Sequence, residues 1–212
     1  MAQRVVFWGG TGQSKVLKEA MSYDGYELVS IVDNREIDKL HDKVVFLKGY
    51  DELINWLDQQ LSVSEIRCAV AIGGHRGKQR LDLLDQMKSC GLKPLTIIHP
   101  TAFISRDSVI EEGCQILANS AVCVNVKVGR ASIINTSASV DHDCILGEGV
   151  HIGPGAHLAG EISVGNHTFI GTGATVLPGL KIGADVIIGA GAVVTRDVSD
   201  CKTLIGNPAK CI

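Results

Sequence analysis

From Ile98 onwards the chain repeats one pattern: every sixth residue is Ile, Leu or Val, at 98, 104, 110, 116, 122, 128, 134, 140, 146, 152, 158, 164, 170, 176, 182, 188 and 194. Base composition does not produce an unbroken run of this length. Four residues after each aliphatic the side chain is mostly small or aliphatic again, as in Ala102, Cys114, Ala138, Ala156 and Ala192. Glycine recurs at 129, 147, 153, 165, 171, 183 and 189, where it is expected to supply turn geometries that cost other residues more. A period of six fits neither an α-helix nor an ordinary strand. It fits a parallel β-helix in which each hexad places one branched aliphatic in a thin prismatic core and about three hexads close one coil. The repeat is then long enough for about five to six coils, stacked because a single coil cannot bury its own face.

Before residue 98 the pattern alternates between buried strands and amphipathic helices. Strands are expected at Arg4–Trp8, Glu27–Val32, Val44–Leu47 and Ile66–Ile72, with Leu95–Ile98 closing the series. Helices are expected from Lys15 to Met21, from a cap at Asp51 through Gln60, and along the stripe Leu81, Leu83, Leu84 and Met87, which stops near Gly91. This alternation implies a small parallel sheet with helices on its faces. The expected organisation is therefore an α/β, Rossmann-like domain over 1–97 and a β-helix over 98–212.

Composition narrows the function. With 20 basic against 23 acidic residues the formal charge is −3, without the basic footprint of a nucleic-acid or anionic-membrane binder. No apolar run approaches the ~18 residues of a membrane span. The opening Val5-Val6-Phe7-Trp8 is too short for a signal-peptide core, so a cytoplasmic protein is expected. The seven cysteines are scattered without a C-x-x-C pair, as in a reducing compartment. Cys114 and Cys144 fall on inward positions and read as small core residues.

Candidate chemistry concentrates in Val140-Asp141-His142-Asp143-Cys144. His142 lies two residues past a core aliphatic, where packing does not call for an imidazole, and histidine is the commonest general base. An adjacent carboxylate can accept from one ring nitrogen and raise the basicity of the other. The hexad register resembles that of the hexapeptide-repeat acyltransferases. The stretch Asn135-Thr136-Ser137-Ala138-Ser139-Val140-Asp141-His142-Asp143-Cys144, with Gly147 and His151, is similar to the signature of the sialic-acid O-acetyltransferase-like family, which includes N-acetyltransferases of UDP-4-amino-sugars.

This resemblance, which extends over essentially the whole chain, implies a left-handed β-helix, His142 as general base and Asp143 as its support, where many members carry Glu. It implies an acetyl-CoA groove along Asn135, His151, Gly160 and the backbone near Thr172 and Ala190. Gly206-Asn207-Pro208-Ala209-Lys210 resembles the family's terminal G-x-P-A-K/R, which sets Lys210 near the adenine end of CoA. It also implies a homotrimer with active sites between subunits.

Gly10 and Gly12 end the first strand and Asp33 ends the second, in imitation of a dinucleotide fingerprint, but Lys15 stands where the third glycine belongs. A tight turn opening a helix still suits a nucleotide-sugar phosphate. The resemblance adds Thr11, Gly12, Gln13, Asp33, Asn34, Gly73 and Gly74 as substrate contacts, with Gln13 where members commonly have histidine. Three histidines, His151, His157 and His167, invite comparison with zinc-dependent hexapeptide proteins. Half a coil separates His142 from His151, and no metal is expected. The resulting expectation is an acetyl-CoA-dependent N-acetyltransferase of a nucleotide-linked amino sugar of the 4-amino-4,6-dideoxy type, serving surface-glycan synthesis. The alternatives are O-acetylation of a sialic-acid-like sugar and a non-catalytic nucleotide-binding scaffold.

Overall fold

The computed structural model describes residues 2–37 and 44–212. The first part is a parallel sheet of β1 (Gln3–Trp8), β2 (Tyr26–Asp33), β3 (Val45–Lys48), β4 (Arg67–Val70) and β5 (Lys93–Pro94), in the order β3-β2-β1-β4-β5. Helices α1 (Gly12–Met21), α2 (Gly49–Leu57) and α3 (Gly77–Ser89) lie in the connections among the described residues. The central strand β1 is buried on both faces, as a doubly covered parallel strand must be. Val6 and Trp8 enter one apolar cluster, Val5 and Phe7 the other.

Several expected boundaries moved: helix α1 begins at Gly12 rather than Lys15, and β4 spans Arg67–Val70 rather than Ile66–Ile72. Helix α2 starts at Gly49, with Asp51 inside its first turn rather than capping it. Glu52 instead accepts from the Lys48 backbone N–H at 2.6 Å, and Gln60 folds back to donate to the Trp56 carbonyl at 2.8 Å, outside the helix it was expected to end. The run Leu95–Ile98 is not the last strand of the first sheet. That place belongs to Lys93–Pro94, paired with Arg67–Cys68, while Ile97–Ile98 pairs with Gln115–Ile116 in the coil.

The rest of the chain is a three-sided prism of two-residue strands. Strands pair with the one 18 residues later, as Ala121 with Ser139 and Ser139 with His157, until the last coil, where Ile187 pairs with Thr203 after 16 and the final strand turns antiparallel. One side carries 103–104, 121–122, 139–140, 157–158, 175–176 and 193–194; a second carries 109–110, 127–128, 145–146, 163–164 and 181–182. The third, from 97–98 to 210–211, is the covered side. It packs beneath the first sheet, to whose apolar clusters it contributes Leu117 and Ile133, with Ala131 from the corner before it. From Ile116 to Val194 every hexad aliphatic is buried in one continuous core, each worth about 1.5–3 kcal/mol over exposure. Ile98, Ile104 and Ile110 are only partly covered because nothing stacks on the first coil.

The corners correct the role given to glycine. From Gly113 to Gly191 the residue three places after each hexad aliphatic has positive φ, and many of these are not glycine: Asn125 (φ 58°), Ser137 (56°), Asp143 (58°), Glu161 (62°) and His167 (60°) are among them. Glycine one place after the aliphatic answers a different demand. A Cβ on Gly129 would stand 2.6 Å from the Gly147 carbonyl carbon, and one on Gly171 2.6 Å from the Ile188 oxygen. Those positions are kept bare by the approach of the next coil, not by their own dihedrals.

Candidate active site

His142 and Asp143 occupy one corner of the prism, between the first and second sides. The left-handed backbone of Asp143 turns its carboxylate back onto the preceding ring, and the His142 Nδ1–H donates to Asp143 Oδ2 at 2.8 Å. One coil earlier, Asn125 Nδ2 donates to the other oxygen, Oδ1, at 3.0 Å. The His142 backbone N–H is tied to Asp141 Oδ1 at 2.8 Å. On the following coil Gly160 lies against the ring: a Cβ there would stand 2.5 Å from His142 Cε1. The bond to Asp143 is the main cause that raises the His142 pKa, with the charges of Asp141 and Asp143 assisting. Hydrogen bonds from His142 and then Asn125 hold the Asp143 carboxyl below its usual range. Nε2 is left as a basic atom on a half-exposed ring. Asn125 was invisible to sequence reasoning, since only the 18-residue stacking brings it to Asp143.

All seven substrate contacts expected in the first part line one cavity of about 700 Å³: Thr11, Gly12, Gln13, Asp33, Asn34, Gly73 and Gly74. Trp8, Arg35, His75, Arg76 and Gln79 share its walls and were not anticipated. The signal available for the last three was the Gly73-Gly74-His75-Arg76 turn, which opens α3 as Gly10–Gly12 opens α1. Asp33 is held by four hydrogen bonds. Oδ2 accepts from the Gly10 N–H and Arg35 Nη2, and Oδ1 from the Arg35 N–H and Nε, all at 3.0–3.1 Å. Burial pushes its pKa up, but these bonds outweigh that and keep the carboxylate ionised. Its oxygens thus shape the turn and aim Arg35 at the cavity wall.

The residues expected along one groove divide among three places. Asn135, Thr172 and Ala190 lie on the corner between the covered side and the first side, and the tail joins them there, the Ala209 N–H donating to the Val193 carbonyl at 2.8 Å. Lys210 follows in the antiparallel strand that ends the chain. Gly160 is on the His142 corner instead. His151 is buried under the first sheet: Nδ1–H donates to the Gly74 carbonyl at 3.1 Å, and Nε2 accepts from Asn135 Nδ2 at 3.0 Å. Burial, helped by the Arg80 charge, lowers its pKa to about 4, so it is a neutral strut rather than a proton carrier. Among the described residues no acceptor meets the backbone N–H of Gly160, Thr172 or Ala190, which leaves donors for a ligand along both corners.

Arg80 explains how the cavity is held to the coil. The side chain is fully buried. Nε donates to the Ala131 carbonyl at 3.0 Å and Nη2 to Gly149 at 2.7 Å, while Nη1 reaches Ile72 and Gly74 at 3.4 and 3.3 Å. Burial lowers its pKa to about 10, so the guanidinium stays charged and is satisfied by carbonyl dipoles from both parts of the chain. His157 bonds Ser139 on the first side and His167 pairs with Asp185 on the third corner, so with His151 the three histidines point to three separate surroundings. Among the described residues no cluster of three or more His, Cys, Asp or Glu could hold a metal ion.

A prism of hexads with a carboxylate-supported histidine at its corner and a sheet domain docked on one side defines a class. The chain belongs to the hexapeptide-repeat acyltransferases, whose β-helix is left-handed, and the family model described as bacterial transferase hexapeptide (six repeats) matches residues 161–196. Among solved structures it is similar to a histidine variant of perosamine N-acetyltransferase from Caulobacter crescentus in complex with CoA and GDP-perosamine, at 39% identity over 98% of this chain and 96% of that one, with a TM-score of 0.89. The acetyltransferase domain of PglB from Neisseria gonorrhoeae FA1090, in complex with acetyl coenzyme A, is 33% identical over 100% of both chains, with a TM-score of 0.89. WeeI from Acinetobacter baumannii AYE shares the fold at 24% identity, covering 98% of this chain and 99% of that one at a TM-score of 0.84. Comparison with curated proteins returned no match.

Proposed function

We propose that the chain transfers the acetyl group of acetyl-CoA to the amine of a nucleotide-linked amino sugar. The observation that carries this reading is the His142 ring, anchored through Nδ1 to Asp143 with Nε2 bare. Nε2 takes a proton from the amine as nitrogen adds to the thioester carbonyl. Asp143 keeps the tautomer and stabilises the imidazolium, and the Gly160 N–H donates to the developing oxyanion. Collapse breaks the C–S bond, and His142 returns the proton to the departing sulfur. Acyl-enzyme chemistry is not needed.

Residues 1–97 hold the nucleotide, with the backbone amides opening α1 and the Arg35 and Arg76 guanidinia toward its phosphates, and residues 98–212 carry the transfer. Asn135, Thr172, Ala190 and Lys210 line the path for CoA. His142 is not among the walls of the cavity that would hold the sugar nucleotide. A homotrimer, in which His142 of one subunit serves the cavity of the next, supplies the missing juxtaposition. Seven free cysteines support a cytoplasmic setting, and no helix of the described residues is long and apolar enough to cross a membrane. The relatives' ligands, GDP-perosamine with CoA and acetyl coenzyme A, support both substrate classes.

The test is CoA release from acetyl-CoA with GDP-perosamine as acceptor. Turnover by the native chain, its loss in His142→Ala with unchanged melting, and no turnover with the 4-hydroxy analogue are expected. Full activity of His142→Ala would remove the histidine from the mechanism, and light scattering showing a monomer during turnover would remove the shared site.

A further inference from the structure

Two glutamine amides connect the cavity to the coil in a fixed order. Gln115, on the covered side of the prism, is 1% exposed, and its Nε2 donates to the Val70 carbonyl at the end of β4, at 2.7 Å. A carbonyl oxygen only accepts, so this bond decides which end of the Gln115 amide is nitrogen. Its Oε1 is thereby turned to accept from Gln13 Nε2, also at 2.7 Å. The same reasoning passes to Gln13: one Nε2–H donating to Gln115 fixes which way the amide faces and turns Oε1 toward Gly73. This oxygen lies 3.4 Å from where a Cβ of Gly73 would be, and both residues are cavity walls.

We propose that Gln115 is a positioning residue that makes Gln13 a hydrogen-bond acceptor for an amine or hydroxyl on the sugar of the bound sugar nucleotide. The proposal rests on the reading of the cavity given above. A phosphate does not suit the position, because its oxygens would face Oε1 acceptor to acceptor. The site is also on the coil side of the cavity, since the same Cβ position on Gly73 is 3.9 Å from His151 Cε1. Gln13 contributes no charge and stays an acceptor at every working pH, so the contact selects a donor-bearing sugar without competing for the proton that His142 removes.

Gln115→Met keeps the side-chain length and deletes both bonds, freeing the Gln13 amide to turn. Binding of GDP-perosamine and of GDP to the full chain is measured by calorimetry for the native protein, Gln115→Met, Gln13→Met and the double variant. Each single variant is expected to bind GDP-perosamine about tenfold more weakly, the loss of one hydrogen bond to a neutral or charged donor, and to hold GDP within about twofold. The double variant is expected to lose no more than Gln13→Met alone, because the two act as one unit. In turnover KM rises and kcat stays within about twofold. Additive losses, or an equal loss for GDP, would assign Gln115 to packing and overturn the proposal. If Gln115→Met does not fold, Gln13→Met alone decides by the same comparison of the two ligands. Native-like binding by both single variants refutes the proposal while leaving the cavity reading intact, and a native protein that binds neither ligand refutes both.

Discussion

Adding a single methyl group at Gly160 tests whether the pose of His142 governs the rate. The backbone there lies outside the left-handed region, so Ala is accommodated without strain of its own and the amide proposed for the oxyanion is retained. Its Cβ, however, would stand 2.5 Å from His142 Cε1, against 3.4 Å or more for an ordinary contact. The ring has to retreat by about 1 Å, and a misplacement of that size costs on the order of 100-fold in rate, or ~2.7 kcal/mol of barrier. The ring is half exposed, so it can swing toward solvent and the fold should lose little. The assay is steady-state CoA release with saturating acetyl-CoA, beside thermal melts. The expected result is a fall in kcat of about 100-fold with the melting temperature within about 2 °C. A Gly160→Ala enzyme with kcat within threefold of native would refute the view that this corner fixes the base.

Because Asp143 raises the His142 pKa, the acidic limb of kcat/KM should lie above the reference value of roughly 6.5, with activity rising as the base loses its proton; Asp143→Asn should move that limb to lower pH. Asn125→Ala leaves one Asp143 oxygen without its donor and should cost about three- to tenfold in kcat/KM, with Asn125→Asp worse because two carboxylates then face each other. His151 predicts acid sensitivity of the fold: with a folded pKa of about 4 and an unfolded one of roughly 6.5, the unfolded chain binds the extra proton between those values. Stability from this group therefore falls as pH drops from 6.5 toward 4, by ~2 kcal/mol at pH 5, and His151→Gln should flatten that part of a denaturant-midpoint profile against pH.

The coil was readable because its signal repeats: one aliphatic per hexad over many turns leaves no rival register. Shorter signals were ambiguous. Leu95–Ile98 is apolar enough for either sheet, and only Pro94, which cannot extend a ladder as donor, hinted that the first sheet ends there. The corner at the third place after each aliphatic was illegible because Asn125, Ser137, Asp143, Glu161 and His167 share a dihedral but no side-chain chemistry. The site was readable where its parts are neighbours in sequence, as His142 and Asp143 are, or follow a strand as a glycine turn. It was unreadable where partners meet only through folding: Asn125 with Asp143, Gln13 with Gln115, and Arg80 with the carbonyls of Ala131 and Gly149. The bonds of Asp33 to Arg35 and to the Gly10 N–H were likewise not legible from its spacing alone.

Asn125, Asp143 and Gly160 reach His142 from three successive coils, and each is set by the ladder of backbone hydrogen bonds rather than by distant parts of the chain. The proposed base therefore travels as a cassette of about three coils. Whole coils gained or lost beyond the cassette would lengthen or shorten the prism without altering His142. A gain or loss of a single residue inside it would rotate every later side chain off its face. Changes of length outside the cassette, such as the 16-residue last step from Ile187 to Thr203, thus leave the surroundings of His142 intact.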